Sequence, residues 1–278
     1  MRQGAWTNRL GCALVMAALL APVAAIAQGK TEVVTVAVRP GVTMKYLEIR
    51  GSAQPSATVI LMAGGKGVLD LRPSGEIGTD LNLNFLMRAR DLFVREGFVV
   101  SAVDVASDQL RGGLNGDIRL SARHGQDLMR VVGEARKRNP GPVWLIGTSA
   151  SVISVAAVAA RFPKSEAGPD GIVLTSSLTV LAKGLCGRSI YFAPLAAIRV
   201  PVLSIGHQDD ACPCSPGGAA PGRKLTAALT GAPAKEHKVV TGGDPPVSKS
   251  PCHARTPHGF FGKEEDVVKA IAAWIAKH

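Results

Sequence analysis

Through most of this chain the apolar positions fall in short unbroken runs, not in alternation with polar ones. Residues 57–62, 98–103, 143–146, 171–175 and 199–205 are such runs, each bounded by glycine, proline or polar residues. They predict strands buried on both faces, and 238–240 adds a shorter one. Between them the pattern changes period. Residues 85–95, 121–138, 152–160 and 264–277 predict helices, the second closed by Asn139-Pro140-Gly141-Pro142. The last carries Val267, Ile271, Trp274 and Ile275 on one face, with acidic residues at its start and Lys277 at its end, as the helix dipole prefers. The opening differs: 33–38 and 44–49 flank Arg39-Pro40-Gly41, which predicts an antiparallel pair around a turn. Strands alternating with helices imply a mostly parallel central sheet covered on both faces, a three-layer α/β/α sandwich. Residues 176–199 form a connection without strong periodicity. No internal repeat, low-complexity linker or segment large enough for a separate lid interrupts the pattern.

The first residues belong to a different class. Arg2 and Arg9 precede an apolar stretch from Leu10 to Ile26, and Ala25-Ile26-Ala27 matches a small-residue cleavage site. The expectation is a cleaved signal peptide over 1–27, a single domain over 28–278, and a periplasmic or secreted product without stable membrane insertion. Cys12 lies inside the apolar stretch, which argues against a lipoprotein signal. The formal charge is +11, or +9 without the two leader arginines, yet the basic residues are scattered and aromatics are only 4%. That pattern excludes nucleic acid as the expected partner.

Candidate chemistry centres on Pro142-Val143-Trp144-Leu145-Ile146-Gly147-Thr148-Ser149-Ala150-Ser151, followed by the Ala-rich helix. A strand that turns sharply into a helix with serine at the apex is a nucleophile elbow. The apex backbone is strained, so residues two positions away must be small. They are Gly147 and Ser151, the latter an imperfect substitute for the usual glycine. The helix start places the Ala150 amide near the apex, where it can stabilise an oxyanion.

This stretch resembles the α/β-hydrolase family, and the resemblance extends over most of residues 28–278. Some relatives, the dienelactone hydrolases, use cysteine as nucleophile, whereas this elbow carries serine. The family implies a histidine before the last helix and an acid after a late strand. His258, in Pro257-His258-Gly259-Phe260-Phe261-Gly262, stands at that place, with His253 in reserve. The acid lies in Ser204-Ile205-Gly206-His207-Gln208-Asp209-Asp210-Ala211-Cys212-Pro213. Spacing from Gly206 and Pro213 favours Asp209 slightly, and the adjacent Asp210 stays almost as open. The order Ser149, Asp209 or Asp210, His258 is the family's order. The second oxyanion donor is expected from Ala63-Gly64-Gly65-Lys66-Gly67, at Gly65 or Lys66. The same loop is no phosphate loop, because Gly67 follows the lysine, and no dinucleotide fingerprint, because Asp70 stands where glycine is needed.

Cys186, Cys212, Cys214 and Cys252 remain after leader removal. Cys212, Cys214, Cys252 and His253 have weak zinc spacing, and an exported chain favours disulfides. If the triad forms, its acid and histidine loops lie side by side, which brings Cys212 to Cys252. Cys214 is the alternative partner, with Cys186 free or paired with the remaining one. The resemblance implies a serine hydrolase that cleaves a small-molecule ester through an acyl-serine, with no cofactor and no metal. A non-catalytic binding protein of the same fold, or a Cys/His metal-binding protein, are the alternatives. Substrate identity and oligomeric state are not legible.

Overall fold

The computed structural model describes Met1 and residues 29–51, 54–182, 184 and 186–278. The expected leader lies outside the described residues beyond Met1 itself. The chain opens as a hairpin, β1 (Lys30–Arg39) against β2 (Val42–Arg50), turned at Gly41 with φ of 70°. Six strands follow: β3 (Thr58–Met62), β4 (Val99–Ala106), β5 (Val143–Thr148), β6 (Gly171–Thr175), β7 (Val202–His207) and β8 (Lys235–Val240). They join the hairpin in one eight-stranded sheet of order β1-β2-β4-β3-β5-β6-β7-β8. Within this sheet the β1–β2 and β2–β4 pairings are antiparallel, and β3 to β8 run parallel.

Alternation along the central strands divides the core in two. On β3 and β5, Ile60, Met62, Val143 and Leu145 point to one face, and Val59, Leu61, Trp144 and Ile146 to the other. The first face is covered by α4 (Ala122–Arg138) and α5 (Ser151–Arg161), through residues such as Leu128, Val132, Ile153 and Val158. The second is covered by α1 (Phe85–Arg88), α2 (Arg90–Arg95) and α7 (Glu264–Lys277), through Phe85, Phe93, Val267 and Ile271. Burial on both faces is why the strand sequences read as continuous apolar runs.

Four elements depart from the sequence reading. The helix expected over 85–95 breaks at Ala89 into α1 and α2, with the Asn84 side chain capping the first. The strand expected over 98–103 is longer. β4 runs on to Ala106, and the buried Asp104 carboxylate accepts the amides of Leu69 and Leu71 at 2.8 and 2.9 Å. Two helices were not foreseen: α3 (Gly116–Leu120), capped by Asn115, and α6 (Ala219–Ala228). Pro221 and Gly222 hide α6 from a propensity reading, yet proline is tolerated in a first turn, where no intrahelical N–H bond is lost.

Candidate active site

All six parallel strands end on the same edge, and the candidate side chains gather there from three connections. At the end of β5 the chain turns through Ser149, whose φ of 55° is left-handed, a conformation that costs a non-glycine residue about 1–3 kcal/mol. The turn fits because its neighbours lack bulk. A Cβ on Gly147 would lie 2.8 Å from Val155 Cγ2, and one on Gly64 would lie 2.9 Å from Ser149 Cβ.

Ser151 does more than fill the place of a glycine. It is fully buried; its Oγ accepts the Thr148 amide at 2.8 Å and donates to the Met62 carbonyl at 2.7 Å. The hydroxyl thus satisfies one group at the end of β5 and one at the end of β3. Both ends of its hydrogen bonding are met, so the side chain is carried in the elbow without an orphaned polar atom.

His258 sits in a one-turn 3-10 helix, Pro257–Gly259, introduced by Thr256 as cap and Pro257 at its first position. The Thr256 hydroxyl donates to the His253 carbonyl at 2.8 Å and lies 3.0 Å from that of Pro251, and Ser176 Oγ donates to the His258 carbonyl at 2.6 Å. Arg88 reaches from α1 to the carbonyls of Ala254 and Gly259 and pairs with Glu264 of α7. Burial pulls the Arg88 guanidinium below its usual range. These supports lock the ring. His258 Nε2 lies 3.1 Å from Ser149 Oγ, and Nδ1 lies 2.9 Å from Asp210 Oδ2.

Asp210 also accepts the Cys212 amide on Oδ1 at 2.9 Å and the Ser215 hydroxyl on Oδ2 at 3.0 Å. Asp209, slightly favoured by spacing, is left out. Its amide donates to Nδ1 of the buried His207, which turns the backbone so that the Asp209 side chain stands 69% exposed. The turn is closed behind it by the Gly217 amide on the Asp210 carbonyl.

The glycine loop after β3 lines the same cleft through Gly64 and Gly65, and Gly65 has φ of 55°. The Lys66 carbonyl accepts the Leu114 amide at 2.8 Å, and its side chain packs on Gly113. Ala150 caps α5, where first-turn amides have no intrahelical acceptor. The cleft encloses about 260 Å³ between Leu81, Leu83 and Phe85 on one side and Cys252, His253 and Ala254 on the other. His253 lines it too, but its Nδ1 accepts the Arg255 amide. A larger hollow of about 680 Å³ lies under α7 against Phe98 and Trp144, and none of the elbow or histidine-loop residues borders it.

Two disulfides stand at the site's edge, Cys212–Cys252 and Cys186–Cys214. The first ties the Asp210 loop to the His258 loop. Asp210, Cys212 and His258 place potential metal-ligating atoms within 4.8 Å of one another. Cys212 cannot supply a thiolate while bonded to Cys252, and Cys214 is engaged by Cys186, so the Cys/His zinc pattern is dismantled.

Behind the glycine loop, on the α4 side, His124 is buried and its Nε2 lies 2.9 Å from Ser154 Oγ. Burial first, and the nearby Arg119 charge second, lower its pKa to about 3. The ring is therefore neutral in the fold and takes up a proton in the unfolded chain below the ordinary histidine value of 6.5. Stability should fall as pH drops from about 6.5 toward 3, by roughly 2–3 kcal/mol at pH 4.5 from this group. Urea unfolding at pH 7 and 4.5 checks it. His124→Asn should lose less stability across that interval than the parent, and equal losses would remove His124 from the account.

No protein-family model and no curated protein matches the sequence. Solved structures do match by shape. A dienelactone hydrolase from Anabaena variabilis is similar over 90% of this chain and 99% of its own, with a TM-score of 0.60 at 14% identity. An esterase of Pyrococcus furiosus is similar over 90% and 91%, with a TM-score of 0.60 at 13% identity. One of two fungal esterases from Rhizomucor miehei is similar over 92% and 84%, with a TM-score of 0.59 at 16% identity. Sheet order, layering and these likenesses agree: the chain has the α/β-hydrolase fold.

Proposed function

We propose that this protein is an exported serine hydrolase that cleaves carboxylic esters of small molecules through an acyl-serine. The observation that carries the reading is the line Ser149 Oγ, His258 Nε2, His258 Nδ1, Asp210 Oδ2, with contacts of 3.1 and 2.9 Å, mounted on a left-handed elbow. A carboxylate only accepts, so Asp210 fixes the proton on Nδ1 and leaves the Nε2 lone pair facing the serine. Ser149 Oγ attacks the ester carbonyl carbon while its proton passes to Nε2. The carbonyl oxygen becomes an oxyanion held by the amides of Ala150 and of the glycine loop. Collapse breaks the bond to the alcohol, which leaves with the proton from Nε2. Water then repeats the sequence on the acyl-serine: it gives a proton to Nε2, attacks the carbonyl, and releases the acid and Ser149.

A non-catalytic binding protein has no use for a strained serine beside an oriented imidazole, and Ser151 is accommodated in the elbow by its two hydrogen bonds. Export is supported by the leader pattern at 1–27 and by two disulfides, which persist in oxidising compartments.

The test is a fluorophosphonate label together with p-nitrophenyl esters of graded acyl length. A cleft of about 260 Å³ walled by Leu81, Leu83 and Phe85 has room for a short acyl chain. Acetyl to butyryl esters should be turned over best, with kcat/KM at least about tenfold lower for octanoyl and longer, the loss of roughly 1.4 kcal/mol of binding. No labelling and no turnover of any ester would sink the hydrolase reading. Rising kcat/KM toward dodecanoyl would sink the size argument alone.

A further inference from the structure

Beneath the glycine loop lies a buried cation that the reaction scheme above does not use. Arg119, in α3, is only 1% exposed, and burial alone pulls its guanidinium pKa down to about 10. Among the described residues no carboxylate forms an ion pair with it, and its Nε has no partner. A lone buried guanidinium is costly to the fold, and an apolar side chain of similar length would fill the space at less cost.

What Arg119 does hold is polar and specific. Its Nη2 donates to the Gly65 carbonyl at 2.8 Å, and its Nη1 donates to Ser154 Oγ at 3.1 Å. Ser154 is in turn 2.9 Å from the neutral ring of His124. A guanidinium only donates, so Ser154 Oγ accepts from Arg119 and meets His124 Nε2 with its remaining hydrogen-bonding capacity. Both ends of the guanidinium are thereby assigned.

The Gly65 carbonyl belongs to the same peptide unit as the Lys66 N–H, and in a trans peptide these point in opposite directions. The preceding carbonyl, of Gly64, accepts the Gly67 amide at 3.0 Å. Two successive peptide planes of the loop are thus fixed, the second of them by the buried cation. Gly64 stands against Ser149, so small rotations here move the loop relative to the nucleophile.

We propose that Arg119 is a positioning residue for ester cleavage: through the Gly65 carbonyl it sets the oxyanion loop, and its unpaired charge is balanced when the tetrahedral oxyanion forms. This rests on the serine-hydrolase reading. A fixed positive charge in a dry interior favours a developing anion more than a neutral ester, so its removal should act on the transition state and spare ground-state binding.

The experiment compares the wild type with Arg119→Met and Ser154→Ala, with active sites titrated by a fluorophosphonate. Arg119→Met should lower kcat by about 10- to 100-fold with KM within roughly threefold. Inhibition by a phenylboronic acid, which forms a tetrahedral anion on serine, should weaken by a similar factor. A purely structural arginine would change melting temperature or the titratable fraction and leave kcat per titrated site and boronate affinity alone. A folded Arg119→Met with kcat and boronate affinity within about threefold of wild type overturns the proposal. If Arg119→Met does not fold, Ser154→Ala decides: it frees one end of the guanidinium and should lower kcat about three- to tenfold at constant KM. Unchanged kcat and boronate affinity in that variant overturn the proposal equally. A wild type that neither labels nor turns over ester brings down the parent reading, and this one with it.

Discussion

Ser149→Ala is expected to abolish ester turnover and fluorophosphonate labelling while leaving the protein folded. The expected loss in kcat is at least about three orders of magnitude, because a nucleophile and its base act as one unit. The fold should tolerate the change. Alanine at this position keeps the same Cβ, the amide still donates to the Thr175 carbonyl, and only the 3.1 Å contact to His258 is lost. The left-handed backbone is as strained for alanine as for serine, so the melting temperature should move by no more than a few degrees, the size expected for one weak hydrogen bond. Residual activity above about a tenth of wild type would show that another group attacks the ester, since the expected loss far exceeds tenfold.

The elbow could be read from sequence because the strain it stores restricts the residues around it. Gly147 and Gly64 are small since a Cβ would collide with Val155 and with Ser149, and that restriction is local. The sheet could be read for a related reason: strands buried on both faces leave unbroken apolar runs. His258 could be placed because it stands in a short loop just before the last helix. Where the arrangement depends on distant partners, the sequence was silent. Ser151 reads as a defect in the motif, and its bond to the Met62 carbonyl crosses from the start of α5 to the end of β3. Arg119 lies between Ile118 and Leu120 in a short helix without a clear sequence pattern, and only tertiary packing shows it sealed behind Gly65. Ser176, Ser215 and Arg88 support the histidine and the acid from three different connections, and no spacing rule links them. The pairing of Cys186 with Cys214 stayed open for the same reason, since it depends on how the connection after β6 folds back.

The choice between the two aspartates shows that limit most directly, and it yields the second large expected effect. Spacing after a strand fixes where a turn lies but not how it is rotated. Here the rotation is set by the Asp209 amide on His207 Nδ1 and by the Gly217 amide on the Asp210 carbonyl, so Asp210 faces inward at 6% exposure. Asp210→Asn should lower kcat by about 10³- to 10⁴-fold, whereas Asp209→Asn should stay within about twofold of wild type. The size of the first effect follows from the hydrogen bonds around the carboxylate. Oδ1 accepts the Cys212 amide, so an asparagine must keep its carbonyl there and turn its NH₂ toward Ser215 and His258. An NH₂ facing Nδ1 forces the imidazole proton onto Nε2, and a protonated Nε2 has no lone pair to take the proton of Ser149. Asp209, exposed and making no contact with His258, has no such lever. Steady-state kinetics of the two variants on one short-chain ester, with circular dichroism to confirm folding, decide the point. Mild losses in both would place the orienting acid elsewhere, and a loss confined to Asp209→Asn would mean that the turn is rotated the other way in solution.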